Sequence, residues 1–287
     1  MSAFLGLGLW RQAAFFAALG VISCQSPGAS RSAEQPPARS TTTLSPAGPA
    51  ASTELKGEPD AKTEPVALLE LFTSEGCSSC PAADETLALL TDEAARRGER
   101  VFTLELHVDY WNDLGWADPF SDHAYSLRQN AYARQMSSSR VYTPQLVVNG
   151  HDELVGSDRS GARAAIARAL RAPTRAGVSV SARRVDGAIE LSYRVATAAP
   201  VQLQLAVADD VAVTRVTAGE NSDRLLKHRH VVRAFRSLAL QASGSGTWVA
   251  PWRHASADAA AFVAVYATDP QTLQVLGADA QLLPGPA

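Results

Sequence analysis

Cysteine is scarce, with three in 287 residues, too few for a disulfide-stapled scaffold. No charge of one sign predominates: 26 Lys and Arg stand against 29 Asp and Glu, for a net charge of −3. With no polybasic surface on offer, nucleic acid is not an expected partner. No internal repeat is visible, and no second Cys-x-x-Cys exists to complete a four-thiolate zinc site. No apolar run comfortably spans about 30 Å of hydrocarbon. What is present is ample core material, 46% hydrophobic against 19% charged residues. That excludes a mainly disordered chain, a collagen-like one and a coiled coil, and the length suggests two domains.

The longest apolar run near the start, Ala13 to Ile22, follows the single charge Arg11 and matches the h-region of a secretory signal over residues 1–23. It ends in Val21-Ile-Ser-Cys24, which resembles a bacterial lipobox, so Cys24 is expected to carry a lipid and anchor the chain to a membrane. Gln25 in place of Asp points to the outer membrane if the host is Gram-negative. Residues 24–64, rich in Pro, Ser, Thr, Ala and Gly, bury too little to offset chain entropy and read as a disordered tether, about 35 Å in mean span. The expected location is the cell envelope.

Val66 to Phe72 is an almost unbroken apolar run, the signature of a strand covered on both faces. It leads into Thr73-Ser-Glu-Gly-Cys77-Ser-Ser-Cys80-Pro81, where Pro81 suits the first turn of a helix that continues through Leu87, Leu90 and Ala94 to a stop at Gly98. Cys77 is thus expected at or just before a helix N-terminus, where free N–H groups and the helix dipole stabilise a thiolate. A sulfur three positions on is placed to resolve a mixed disulfide formed by the first. One nucleophile, which must be accessible, and one resolving thiol make up the chemistry of thiol–disulfide exchange.

About sixty residues on, Thr143-Pro144 precedes the strand Leu146-Val-Val148, and Asn149-Gly150 turns it into a second strand. The Thr-Pro step resembles the cis-proline loop of thioredoxin-fold proteins, where the residue before proline hydrogen-bonds the substrate backbone. Residues 101–108 read as a second strand, 118–136 as a helical crossover, and Ser157-Asp158 as the cap of a third helix. The order strand, helix, strand, helix, hairpin, helix is the thioredoxin order with an aromatic insertion.

Glu70 to Pro81, His107 to Trp111 with Leu114-Gly-Trp116, Tyr142 to Gln145, and Gly156 to Asp158 together resemble a bacterial family of secreted thioredoxin-like proteins, domain of unknown function 1223. Ala218 to Asn221, Leu226 to His228 and Val231 to Phe235 also look like family segments. The resemblance implies an α/β thioredoxin-like domain, a mixed sheet with helices on both faces, over residues 65–174, and a mainly antiparallel β domain over 175–287. It names no substrate.

The favoured function is an envelope thiol–disulfide oxidoreductase without dissociable cofactor. Cys77 would attack, Cys80 would resolve, and Thr143 and Pro144 would dock protein or small-molecule partners carrying thiols or disulfides. His107 and Asp109 share a strand face, and either could take the Cys80 proton, Asp109 being preferred. One rival is a copper(I) chaperone using Cys77, Cys80 and His107 or His123. The other is a non-catalytic binding lipoprotein with a permanent bridge. Trp111, in an aromatic patch with Tyr110, Trp116, Pro119 and Phe120, is expected to pack over the sheet or to form a substrate platform. Surface or capping roles are expected for Glu75, Arg128, Gln129, Tyr132 and His151, and His228 with His230 read as an exposed, uninformative pair. From residue 177 onward, period-two alternation, with Asp186-Gly187 as one turn, predicts several antiparallel strands.

Overall fold

Every residue of Ala67–Thr73 (β1) is buried, as its apolar run predicts. The computed structural model describes residues 61–136, 140–252 and 259–285; the signal segment, Cys24 and the tether up to residue 60 lie outside the described residues. Alternate side chains of β1 serve different cores. Ala67, Leu69 and Leu71 pack with Leu87, Leu90 and Ala94 of Pro81–Arg97 (α1) and with Ala162, Ala165 and Ile166 of Arg159–Ala169 (α3). Leu68 and Phe72 join Tyr125 and Tyr132 of His123–Gln135 (α2).

β1 pairs in parallel with Val101–His107 (β2) and antiparallel with Gln145–Val148 (β3), which turns into Asp152–Val155 (β4). The turn uses Asn149 and Gly150 at φ 50° and 66°, the left-handed conformation its sequence predicts. A side chain at Gly150 would put a Cβ 2.3 Å from the Leu273 carbonyl oxygen. After α3 come Ala176–Val185 (β5), Ala188–Thr197 (β6), Val201–Arg215 (β7), Leu225–Leu240 (β8), Gly244–Pro251 (β9), Ala261–Thr268 (β10) and Val275–Leu283 (β11).

These strands form a mixed eight-stranded sheet, ordered β11-β10-β7-β8-β2-β1-β3-β4, and a second, antiparallel sheet, β5-β6-β9. With three α-helices among the described residues, the architecture is a mixed α/β sheet plus a small antiparallel sheet. The second sheet packs Val178, Ile189 and Leu191 onto Leu203, Leu205, Val263 and Val265 of the large one. Because β8 pairs in parallel with β2, at Glu105 opposite Val231, the large sheet runs through the boundary expected at residue 175.

Two expectations are corrected here. The tether does not extend to residue 64: Lys62 exchanges backbone hydrogen bonds with Val178, at 3.1 and 3.0 Å, and its ammonium lies 2.8 Å from the buried Asp279 carboxylate. An extended segment gains partners by lying along β5 and neutralising that acid. Arg128, Gln129 and Tyr132 are not solvated either. Together with Tyr125 they follow helical i, i+3, i+4, i+7 spacing, so this polar stripe is the face α2 turns inward. It covers Glu70, whose carboxylate takes Arg128 Nε at 2.5 Å and Nη2 at 2.9 Å and the hydroxyls of Tyr132 and Tyr266.

Arg128→Leu leaves the buried Glu70 carboxyl without its counter-ion, so stability should fall by about 3–5 kcal/mol, measured by urea denaturation. Glu70→Leu combined with Arg128→Leu should recover much of that loss.

Candidate functional site

The end of β1 turns sharply. Gly76 N–H donates to Ser74 Oγ at 3.1 Å and Cys77 N–H to the Ser74 carbonyl at 3.2 Å. Cys77 and Cys80 form a disulfide with Cα atoms 5.4 Å apart. Cys80, not Cys77, is the N-cap of α1, with Pro81 at its first position; Ala83 and Asp84 N–H groups donate to the Cys80 carbonyl at 2.8 and 3.1 Å. The helix-end field is therefore strongest at Cys80, and Cys77 stands one turn ahead.

The expectation of an accessible Cys77 is not met in this oxidised state. Cys77 is 1% exposed and Cys80 0%, while Ser78 and Ser79 between them are exposed. The segment joining β7 to β8 helps bury the sulfurs. Asn221, itself fully buried, donates through Nδ2 to the carbonyls of Glu75 and Cys77, at 2.8 and 2.9 Å. Ser78 N–H donates to Glu220 Oε2 at 2.9 Å, and Arg224 Nη1 holds Asn221 Oδ1 at 2.7 Å. Gly219, at φ 74°, fits because even a Cβ there would lie 3.1 Å from Trp116 Cβ.

Trp111, Thr143 and Pro144 are brought together beside this turn. Trp111 Nε1 donates to Thr143 Oγ1 at 2.8 Å, and a Cβ on Gly76 would lie 3.2 Å from Trp111 Cβ. The Thr143–Pro144 bond is cis. The Pro144 carbonyl accepts from Gly156 N–H at 3.0 Å. A Cβ on Gly156 would sit 3.2 Å from Pro144 Cβ and 2.8 Å from Ala83 Cβ, so the proline lies against the first turn of α1. Asp109 and His123 are tied to one another: His123 Nδ1 lies 2.9 Å from Asp109 Oδ2, whose other oxygen accepts from Ser126 Oγ. Burial tends to raise the Asp109 carboxyl, but those two bonds hold it below the usual range. His123 is an exposed side chain, and so is His151.

His107 belongs to a different group. On β2, Leu104 and Leu106 enter the core beneath α2, while the alternating Glu105 and His107 face Asp84 of α1 and His228 of β8. His107 Nδ1 lies 2.7 Å from Asp118 Oδ2. Burial would lower the His107 pKa, but the Asp118 charge and hydrogen bond carry it up to about 9; Asp118, which burial would raise, is held at about 2 by His107 and by the backbone N–H groups of Glu75 and Phe120. His228 is likewise raised against its burial, by Asp84, Glu105 and Glu75, and Glu105 is lowered against its burial by the two histidines. Asp84, buried beside Glu105, is raised.

Two surface assignments are thereby overturned. Glu75 is 0% exposed, accepting from Trp116 Nε1 at 2.9 Å and lying 3.2 Å from His228 Nε2. His228 and His230 are 1% and 4% exposed, because Glu75, Asp84 and Glu105 enclose His228 and the Phe262 ring stacks on His230. Among the described residues, Glu105, His107 and His228 form a group whose ligand atoms all lie within 4.8 Å of one another; it contains neither cysteine nor His123. Sequence reasoning missed Asp84, Glu105, Asp118 and Asn221. For Glu105 the available signal was the polar residues on one face of the apolar run Val101 to Val108, where a covered strand requires partners for them.

A family model described as Protein of unknown function (DUF1223) matches residues 68–267. The chain belongs to this family. The matched span includes Cys77, Cys80, Thr143, Pro144, Asn221 and His228. The crystal structure of protein AGR_C_4864 from Agrobacterium tumefaciens is similar over 79% of this chain and 97% of that one, at 26% identity and a TM-score of 0.57. HBP35 of Porphyromonas gingivalis resembles it in fold, at 15% identity and a TM-score of 0.53, over 78% of this chain and 76% of that one. No curated protein matches the chain. No helix among the described residues is long and apolar enough to cross a membrane.

The hydrogen bonds of Asn221 to the turn are worth about 1–3 kcal/mol once the carbonyls they satisfy are counted. Asn221→Ala should therefore keep its fold, while dithiothreitol reduces its disulfide roughly tenfold faster, as followed by thiol titration without denaturant. An unchanged rate would show that this segment does not control access.

Proposed function

We propose that this DUF1223 protein is a thioredoxin-like thiol–disulfide exchange protein of the cell envelope, held there by a lipid on Cys24. The observation that carries the reading is the Cys77–Cys80 disulfide at the cap of α1, with Trp111, Thr143 and Pro144 gathered beside it. The element order from β1 through α3 also agrees with a thioredoxin-like fold. In the oxidised state a partner thiolate attacks Cys77 Sγ. The Cys77–Cys80 bond breaks, and Cys80 leaves with the electron pair, stabilised by its place at the helix end. A second partner thiolate then displaces Cys77 from the mixed disulfide; the partner ends as a disulfide and both cysteines end reduced. Run backwards, the same steps reduce a partner. Partners are proteins or small molecules carrying thiols or disulfides, Thr143 offers its backbone to an extended segment, and the segment around Asn221 must lift for Cys77 to be reached.

The near-complete burial of both cysteines favours one second reading, a permanent bridge in a non-catalytic binding lipoprotein. The two separate on reduction potential and trapping. Exchange predicts a potential above about −300 mV and mixed disulfides that accumulate on Cys80→Ala but not on Cys77→Ala in envelope extracts. A potential below that value with no adducts would establish the permanent bridge.

A further inference from the structure

The seam between β2 and β8 has little backbone pairing, Glu105 opposite Val231 being its one registered pair. Side chains cross it instead. Because His107 Nδ1 is committed to Asp118 Oδ2 at 2.7 Å, the neutral imidazole presents its lone pair at Nε2, 3.7 Å from Glu105 Oε2. His228 repeats the arrangement with the nitrogens exchanged. Its Nε2 faces Glu75 Oε1 at 3.2 Å, leaving Nδ1 3.3 Å from the same Glu105 Oε2 and 3.4 Å from Asp84 Oδ2. Glu105 Oε2, His107 Nε2 and His228 Nδ1 are all buried, and none makes a hydrogen bond. Three such atoms within 4.8 Å of one another, held only by charge at 3.3–3.7 Å, are an exception to the rule that buried polar atoms are hydrogen-bonded. An imidazole held from behind by a carboxylate, with its other nitrogen directed into a shared space, is the usual arrangement of a metal-binding histidine.

We propose that Glu105, His107 and His228 form a zinc-type divalent transition-metal site behind the disulfide, with the Asp84 carboxylate 3.4 Å from His228 Nδ1 at its margin. Donors around a tetrahedral ion with bonds of about 2.0–2.2 Å stand roughly 3.3–3.6 Å apart; Glu105 Oε2 lies 3.3 and 3.7 Å from the two imidazole nitrogens, and all three donors lie within 4.8 Å of one another, so a bound ion would draw them slightly together. Two imidazoles with carboxylates suit zinc-like ions rather than calcium or magnesium, which take all-oxygen shells. The carboxylates of Glu105 and Asp84 balance a double positive charge. Thr73 Oγ1 orients Asp84 by donating to Oδ1 at 2.9 Å. Two strands would then be clasped by an ion with no sulfur ligand, so the site goes beyond the exchange reading and does not depend on it.

The test uses the full chain with its disulfide intact, stripped by chelator and titrated with Co(II) and then Zn(II). One equivalent of cobalt should bind with the visible bands of a four-coordinate ion and no sulfur-to-metal charge transfer. Binding should persist in the Cys77→Ser, Cys80→Ser double variant. Asp118→Asn, which removes the charge behind His107 without touching a proposed ligand, should weaken it about 10–100-fold, and His228→Gln should abolish it. Should His228→Gln not fold, Zn(II) should still raise the Tm of the unsubstituted protein, and raise that of Asp118→Asn less. Failure of the unsubstituted protein to bind a stoichiometric ion would overturn the site and leave the cluster a proton-bridged ion network. Loss of binding in the cysteine variant would overturn it in favour of sulfur ligands, and so would an Asp118→Asn affinity equal to that of the parent.

Discussion

Charge buried behind the Cys77–Cys80 turn constrains the rest of the molecule. Glu75, Asp84, Glu105, His107, Asp118 and His228 are each no more than 4% exposed. A buried ion without a partner costs several kcal/mol, so the elements that carry these groups cannot be positioned independently. They come from the turn after β1, from α1, from β2, from the loop before α2, and from β8. Only β8 lies in the C-terminal half, yet it supplies the cation that faces three of the carboxylates. The C-terminal strands are therefore a structural requirement of the N-terminal half, consistent with one sheet passing through both.

A second acid is buried by different means. Glu70 alternates with Leu69 and Leu71 on β1 and faces α2, where Arg128, Tyr132 and Tyr266 satisfy it. The central strands thus carry carboxylates that point into both layers: toward α2 they meet an arginine, and toward α1 they meet histidines. Arginine stays charged at any ordinary pH, so the first node is a fixed ion pair. Imidazoles can hold a proton or donate a lone pair, and only the second node can exchange a proton for a metal ion. The chemically adaptable node lies next to the sulfurs, with Glu75 two residues before Cys77.

The parts legible from sequence are those fixed by local physics. β1 was declared by an unbroken apolar run, the start of α1 by Pro81, the hairpin by Asn149-Gly150, and β5 and β6 by period-two alternation around Asp186-Gly187. The motif cysteines and Thr143-Pro144 could be marked because their spacing carries chemistry. What stayed hidden depends on contacts distant in sequence. α2 turns a polar stripe inward, which reads as a solvated face until Glu70 is placed beneath it. His228 and Glu75 are 153 residues apart, and nothing near either one announces the other. Alternation in β8 was visible, and its outward Leu225 and Lys227 are exposed, but nothing local to it shows that the face carrying His228 is covered by Asp84 of α1 and Glu105 of β2. Asn221 stood in a recognisable family segment, yet its role needs the turn at Cys77 to lie beneath it.

Under the proposed exchange, the same geometry would set which partners reach the sulfurs. An attacking thiolate must approach Cys77 along the line of the bond it breaks, and the oxidised protein leaves only the Ser78-Ser79 spacer exposed there. Asn221 closes one side through the Cys77 carbonyl, Trp111 stands against Gly76 on another, and α1 lies below. Of these, α1 and Trp111 are fastened into the two cores or to Thr143, whereas the Gly219 to Asn221 segment is a connection whose hold on the turn is a few hydrogen bonds. Motion that admits a partner is cheapest there, since local opening draws on elements with few buried apolar contacts. That segment grows directly out of β8, whose His228 is anchored in the buried charge cluster.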